Sequence, residues 1–216
     1  MTAVDVAARL AHVRERIIRA GGVNVAVIAV TKTFGHDSWL AARDAGCDGI
    51  GENYAQELLA KHGEGPSPLP VHFIGHVQTN KVRSLIDVVD VWQTVDRASI
   101  IDEIAKRALG RRPRVFLQVN TSDEESKSGC APDDLDGLVT RCSDRGLVLD
   151  GLMTIGPTSG EPVATRKAFR LLRRLANDHG LAQCSMGMTG DLEIAVEEGS
   201  TMVRVGSALF GPRHNP

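Results

Sequence analysis

Three places in this chain carry groups able to do chemistry together. The first is Lys32, which follows the apolar, β-branched run VAVIAV at residues 25–30. A run of that kind reads as a buried strand. A lysine at the end of such a strand is pulled toward a low-dielectric interior. Desolvation there lowers its pKa and frees a nucleophilic amine. The chemistry that suits it is Schiff-base formation with an aldehyde. On position alone, snorkelling of the amine to solvent stands level with that reading. The second place is Gly187-Met188-Thr189-Gly190, before a helical segment, with Gly206-Ser207 after the last apolar run. Backbone N–H groups beside hydroxyls can hold a phosphate. Taken alone, the first of these motifs reads more readily as simple helix capping by Thr189. The third is Arg204, set between Val203 and Val205. An inward arginine needs a partner. A ring nitrogen of a bound small molecule would serve, and so would a carboxylate such as Glu52.

These groups act together only if the fold gathers them. Short apolar segments alternate with amphipathic ones along the chain. After an opening helix at 4–20, strands are predicted at 25–30, 48–51, 71–74, 88–93, 114–120, 149–154, 183–186 and 202–205. Helices are predicted between them at 36–45, 54–62, 79–86, 98–109, 132–145, 161–179 and 191–198. Strand–helix alternation means parallel strands with crossover helices. Eight strands in this length predict a single α/β domain over residues 1–216, a closed (β/α)8 TIM barrel with an extra N-terminal helix. An open doubly wound sheet is the competing architecture, but its G-x-G-x-x-G signature is absent. Active sites of such barrels form at the carboxyl ends of the strands. Lys32, Asn53, the 187–191 segment, Arg204 and Gly206-Ser207 all fall there.

Composition narrows the partners. The chain has 216 residues, 42% hydrophobic and 24% charged, with a formal charge of −2. No large positive field is available for a nucleic-acid backbone. The N-terminus lacks the continuous apolar stretch of a signal peptide or membrane span. Four cysteines, at 47, 130, 142 and 184, form no C-x-x-C pair. They read as reduced thiols of a cytoplasmic protein. His72 and His76 flank a strand end and do not share a helix face, so no metal site is read there.

Several segments are familiar as a set: AVTKT (29–33), GENYAQE (51–57), HFIGHVQTNK (72–81), VNTSDEESKSG (119–129), GLMTIGP (151–157), SMGMTGD (185–191) and GSTMVRVGSALFG (199–211). In this order they cover nearly the whole chain, which closely resembles the pyridoxal 5′-phosphate homeostasis protein family, relatives of the alanine racemase N-terminal domain. The resemblance implies a fold-type III barrel holding pyridoxal 5′-phosphate (PLP) on Lys32 as a Schiff base. It implies a phosphate cup at Met188, Thr189, Gly206 and Ser207. It also implies Arg204 facing the pyridine nitrogen, Asn53 near the cofactor, and Lys127 on a mobile rim loop. Departures are small: Thr31 and Phe34 stand where serine and a polar residue are frequent, and Thr189 replaces a serine.

Two functions follow from that likeness. One is a carrier that buffers PLP or delivers it transiently to apo PLP-dependent enzymes; the other is a PLP-dependent amino-acid racemase. A racemase needs a second acid/base on the face opposite Lys32. In the related racemases that group is a tyrosine from a C-terminal β domain, which this sequence is expected to lack. The one tyrosine here, Tyr54, is predicted on the barrel's own rim. An arginine at the ring nitrogen also weakens the cofactor as an electron sink. The expectation is therefore a monomeric carrier without catalytic turnover. Lys81, Arg83 and Lys127 are candidates for a positive exit path for the anionic cofactor, although any one of them alone reads first as solvated surface charge; Lys127→Ala is expected to keep the yellow colour but slow the handover.

Overall fold

In the computed structural model the described residues are 3–122 and 124–211; residues 1–2, Asp123, inside the 119–129 segment, and residues 212–216 lie outside them. The opening helix α1 (Ala3–Arg19) precedes β1 (Ala26–Val30), β2 (Gly49–Glu52), β3 (Val71–Phe73) and β4 (Val91–Val95). β5 (Arg114–Gln118), β6 (Val148–Met153), β7 (Gln183–Ser185) and β8 (Met202–Val205) follow. After β1 to β7 in turn come α2 (Asp37–Ala45), α3 (Ala55–Glu64), α4 (Thr79–Leu85), α5 (Ala98–Arg107), α6 (Leu135–Asp144), α7 (Pro162–Asp178) and α8 (Leu192–Glu197). A short α9 (Ser207–Phe210) follows β8. Each strand pairs in parallel with the next, and β8 returns to β1, closing an eight-stranded barrel. The expected α/β TIM barrel is what forms. No helix among the described residues is long and apolar enough to cross a membrane.

The two faces of each strand do different work. Ala29 of β1 packs into the large core between barrel and helices, whereas Ile28 turns inward to meet Val91, Phe116, Met153 and Met202. Such alternation is the period-2 rule of a strand. It makes Val30, and then Lys32, inward positions. In β2 the inward positions are glycines. A Cβ at Gly49 would lie 2.9 Å from the His72 ring. The missing side chain is what admits a histidine to the barrel interior.

Differences from the sequence reading are local. The fourth strand starts at Val91, not at residue 88, because the Val88 and Val89 N–H groups bond back to the Leu85 carbonyl. Asp90 then accepts the Val71 N–H at 2.7 Å, so its side chain serves the neighbouring strand. The segment predicted as one helix at 132–145 opens with a 3-10 turn at Pro132–Asp134 before α6. Helix α9 escaped sequence reading because four residues carry no helical period.

Candidate cofactor site

The strand ends open onto a cavity of about 250 Å³. All seven residues singled out from sequence line it: Lys32, Asn53, Met188, Thr189, Arg204, Gly206 and Ser207. Val30, Ile74, Met153 and Ile155 supply apolar walls. They come together because inward positions at the carboxyl ends of β1, β2, β3, β6 and β8 converge on the barrel axis. Larger grooves lie elsewhere, about 540 Å³ beside Arg111–Arg114 and about 420 Å³ along α7. Neither combines an amine, a buried cation and paired hydroxyls.

Lys32 is half-buried and sits in a turn closed by the Phe34 N–H donating to the Thr31 carbonyl at 3.1 Å. Thr33, the next residue, has φ of 72°. This left-handed conformation strains a β-branched side chain. The turn is held from three sides. The Thr33 N–H donates to Glu57, and the Phe34 ring packs on Phe210 with centroids 5.3 Å apart. Beneath it, buried Lys61 donates to the Thr31 carbonyl and to Glu52 Oε1, both at 2.7 Å. Glu52 Oε1 also accepts from Thr31 Oγ1 at 2.6 Å and Trp39 Nε1 at 2.9 Å. Its second oxygen is buried with no hydrogen-bond partner among the described residues. Glu52 thus faces the helices, not the barrel axis, and is not the partner of Arg204. Lys61 and Trp39 carried no sequence signal, because on helices they look like any amphipathic side chain.

Arg204 lies across the floor of the cavity. Nη1 donates to Ser185 Oγ at 2.7 Å and Nη2 to the Thr154 carbonyl at 2.8 Å. Both acceptors are neutral. Burial pulls the guanidinium down to about 10, against the nearby charge of Asp191, which leaves it a cation near neutral pH. A buried cation hydrogen-bonded to neutral groups at a cavity wall fits an acceptor such as an aromatic nitrogen.

The cavity wall also carries a pair of hydroxyls. Ser207 Oγ donates to Thr189 Oγ1 at 3.3 Å. Thr189 does not cap α8: that helix has no side-chain cap, and Asp191 accepts the Met188 N–H at 2.6 Å. The extra helix α1 braces the cup. Arg16 donates to the Thr189 carbonyl at 2.9 Å and pairs with Glu193 at 2.6 Å. Arg9 donates to the Leu209 carbonyl at 3.1 Å.

The rim residues do not act alike. Lys127 is no free cation: it donates to the Gly156 carbonyl and pairs with Glu124 at 3.1 Å. Glu124 accepts from the Thr158 N–H at 2.9 Å and hydroxyl at 2.6 Å, which hold its carboxyl down to about 2. The two loops after β5 and β6 are thereby latched. Lys81, with Tyr54 and His76, lines a neighbouring groove that shares Asn53 with the cavity. Arg83 is on the exposed side of α4. No group of three or more His, Cys, Asp or Glu among the described residues is placed to hold a metal ion.

A family model described as Alanine racemase, N-terminal domain matches residues 4–214. The chain is 42% identical over 219 residues to the Pyridoxal phosphate homeostasis protein of Pseudomonas aeruginosa, covering 98% of this chain and 95% of that relative. It belongs to the pyridoxal phosphate homeostasis protein family. The solved PipY of Synechococcus elongatus PCC7942 with PLP bound superposes at a TM-score of 0.85 with 32% identity, over 95% of this chain and all of that one. The alanine racemase of Clostridium difficile 630 shares the fold alone. It is 15% identical at a TM-score of 0.76, over 94% of this chain and 56% of that one.

Proposed function

We propose that this chain binds PLP through a Schiff base on Lys32 and serves PLP homeostasis by buffering or delivery, without catalytic turnover. The observation that carries the reading is the convergence, in one cavity, of the Lys32 amine, the buried Arg204 cation and the Thr189–Ser207 hydroxyl pair. PLP binding by PipY and the names of close relatives support it. PLP supplies an aldehyde that a neutral amine can capture reversibly. Lys32 would hold that aldehyde carbon through its amine nitrogen as a C=N bond, with loss of one water. Thr189 and Ser207 would receive the phosphate, with Gly206 and Met188 shaping the cup. Asn53 would border the ring.

Arg204 supports carriage over turnover. As a cation it can only donate, so a ring nitrogen facing it stays unprotonated and draws electrons weakly. Tyr54 lines the neighbouring groove and is 53% exposed, which gives the racemase alternative little support. The four thiols are buried and unpaired, in keeping with a reducing cytoplasm. Outside the cavity, which Ile155 and Met188 line, the exposed large apolar side chains come from separate segments, in keeping with a monomer. A dimer mass in light scattering would overturn that point.

Borohydride reduction of the yellow holo-protein, followed by peptide mass mapping, is expected to place the pyridoxyl group on Lys32. Lys32→Ala is expected to emerge colourless, and a variant as fully loaded as the parent overturns the assignment. Racemisation of D- or L-alanine at enzyme-like rates overturns the carrier reading.

A further inference from the structure

Beneath Arg204 a line of polar side chains descends through the barrel core. Arg204 Nη1 donates to Ser185 Oγ at 2.7 Å, Ser185 Oγ donates to Gln93 Oε1 at 2.6 Å, and Gln93 Nε2 lies 2.7 Å from His72 Nδ1. All four residues are buried. The inward neighbours Ile28, Val91, Phe116 and Met153 are apolar. Polar groups in such a core cost stability unless each is satisfied. An apolar interior would pack there more simply, so the line calls for a reason.

We infer that Gln93 and His72, through Ser185, are positioning residues that fix the guanidinium of Arg204 toward the cavity. The polarity of every link follows from the top. A guanidinium has donors only, so Ser185 Oγ must accept from it. The single Ser185 proton then goes to Gln93, which sets the amide with its oxygen toward Ser185 and its nitrogen toward His72. His72 Nδ1 must accept, which leaves its proton on Nε2. Burial and the charge of Arg114 push His72 down to about 4, in keeping with a neutral ring. The second Arg204 nitrogen is held by the Thr154 carbonyl. With both nitrogens tied, the guanidinium cannot swing without breaking the line. Sequence gives no hint of this, since Gln93, Ser185 and His72 lie far apart along the chain.

This inference rests on the PLP reading, and its test separates the two. The parent protein must first show visible absorbance with PLP; a colourless parent removes the PLP reading itself. Gln93→Met keeps the length and removes the hydrogen bonds to Ser185, His72 and the Met202 sulfur. It is expected to weaken PLP binding roughly tenfold. It should also move the pH titration of the bound chromophore in the same direction as Arg204→Met does. Ser185→Ala is expected to do the same, and Ser185→Thr to restore the parent titration. A merely structural role would lower stability and leave that titration alone. Parent-like binding and titration in Gln93→Met and Ser185→Ala overturn the inference. Independently of any variant's folding, 15N spectra of the parent's histidines should show His72 protonated at Nε2; a proton on Nδ1 overturns it.

Discussion

At the scale of single residues, the site depends on charges that the barrel buries. Lys61 and Glu52 are 4% and 0% exposed and lie 2.7 Å apart. Replacing both with apolar groups can be neutral, but removing one strands the other. Lys61→Met is therefore expected to cost about 3–5 kcal/mol in urea denaturation, and to loosen the Thr31–Phe34 turn that carries Lys32. A loss under 1 kcal/mol would mean Glu52 finds another partner. Arg204 obeys the same logic with neutral acceptors in place of a carboxylate, which leaves its positive charge to act on whatever enters the cavity.

At the scale of elements, the opening helix is a brace. Two arginines seven residues apart share one face of α1. Arg16 reaches the loop before α8 and Arg9 reaches α9, and these elements bear the two hydroxyls of the cup. Arg16→Ala is expected to raise the PLP dissociation constant about tenfold, as for loss of a charge-assisted hydrogen bond that positions the cup. Titrating apo-protein with PLP and following the absorbance checks this. Unchanged affinity would reduce α1 to packing. The strained Thr33 belongs to this scale too. Glu57 on α3 and Phe210 on α9 hold the turn open in a conformation that Thr33 would not choose by itself.

At the scale of the whole molecule, the polar core sets a pH dependence. An unfolded histidine titrates near 6.5, whereas His72 in the fold is held at about 4. Between those values the unfolded chain binds more protons than the folded one, so stability falls as pH drops from about 6.5 to about 4. The loss from this group is about 3 kcal/mol and ends once His72 protonates in the fold. Urea midpoints measured across that window should show it, and His72→Gln should flatten the slope. A variant as pH-sensitive as the parent would assign the effect elsewhere. The Glu124 carboxyl, lowered from 4.5 to about 2, gives a contribution that is lost mostly at lower pH, beginning at the foot of the His72 window.

The sequence by itself determined the alternation of strands and helices and the barrel. Lys32, the 187–190 turn, Arg204 and Gly206-Ser207 stood out by local or periodic signals, whereas Asn53 was singled out only through the family resemblance. A strand's inward parity runs on from Val30 to Lys32, and a Gly-Met-Thr-Gly turn announces itself in four residues. Tertiary structure alone decided the partners of the buried charges. Glu52 found Lys61 on α3, Arg204 found Ser185 and the line below it, and Lys127 found Gly156 across a loop. The physical reason is that a hydrogen bond is chosen by distance in space, and closing the barrel brings together residues that sequence spacing keeps far apart.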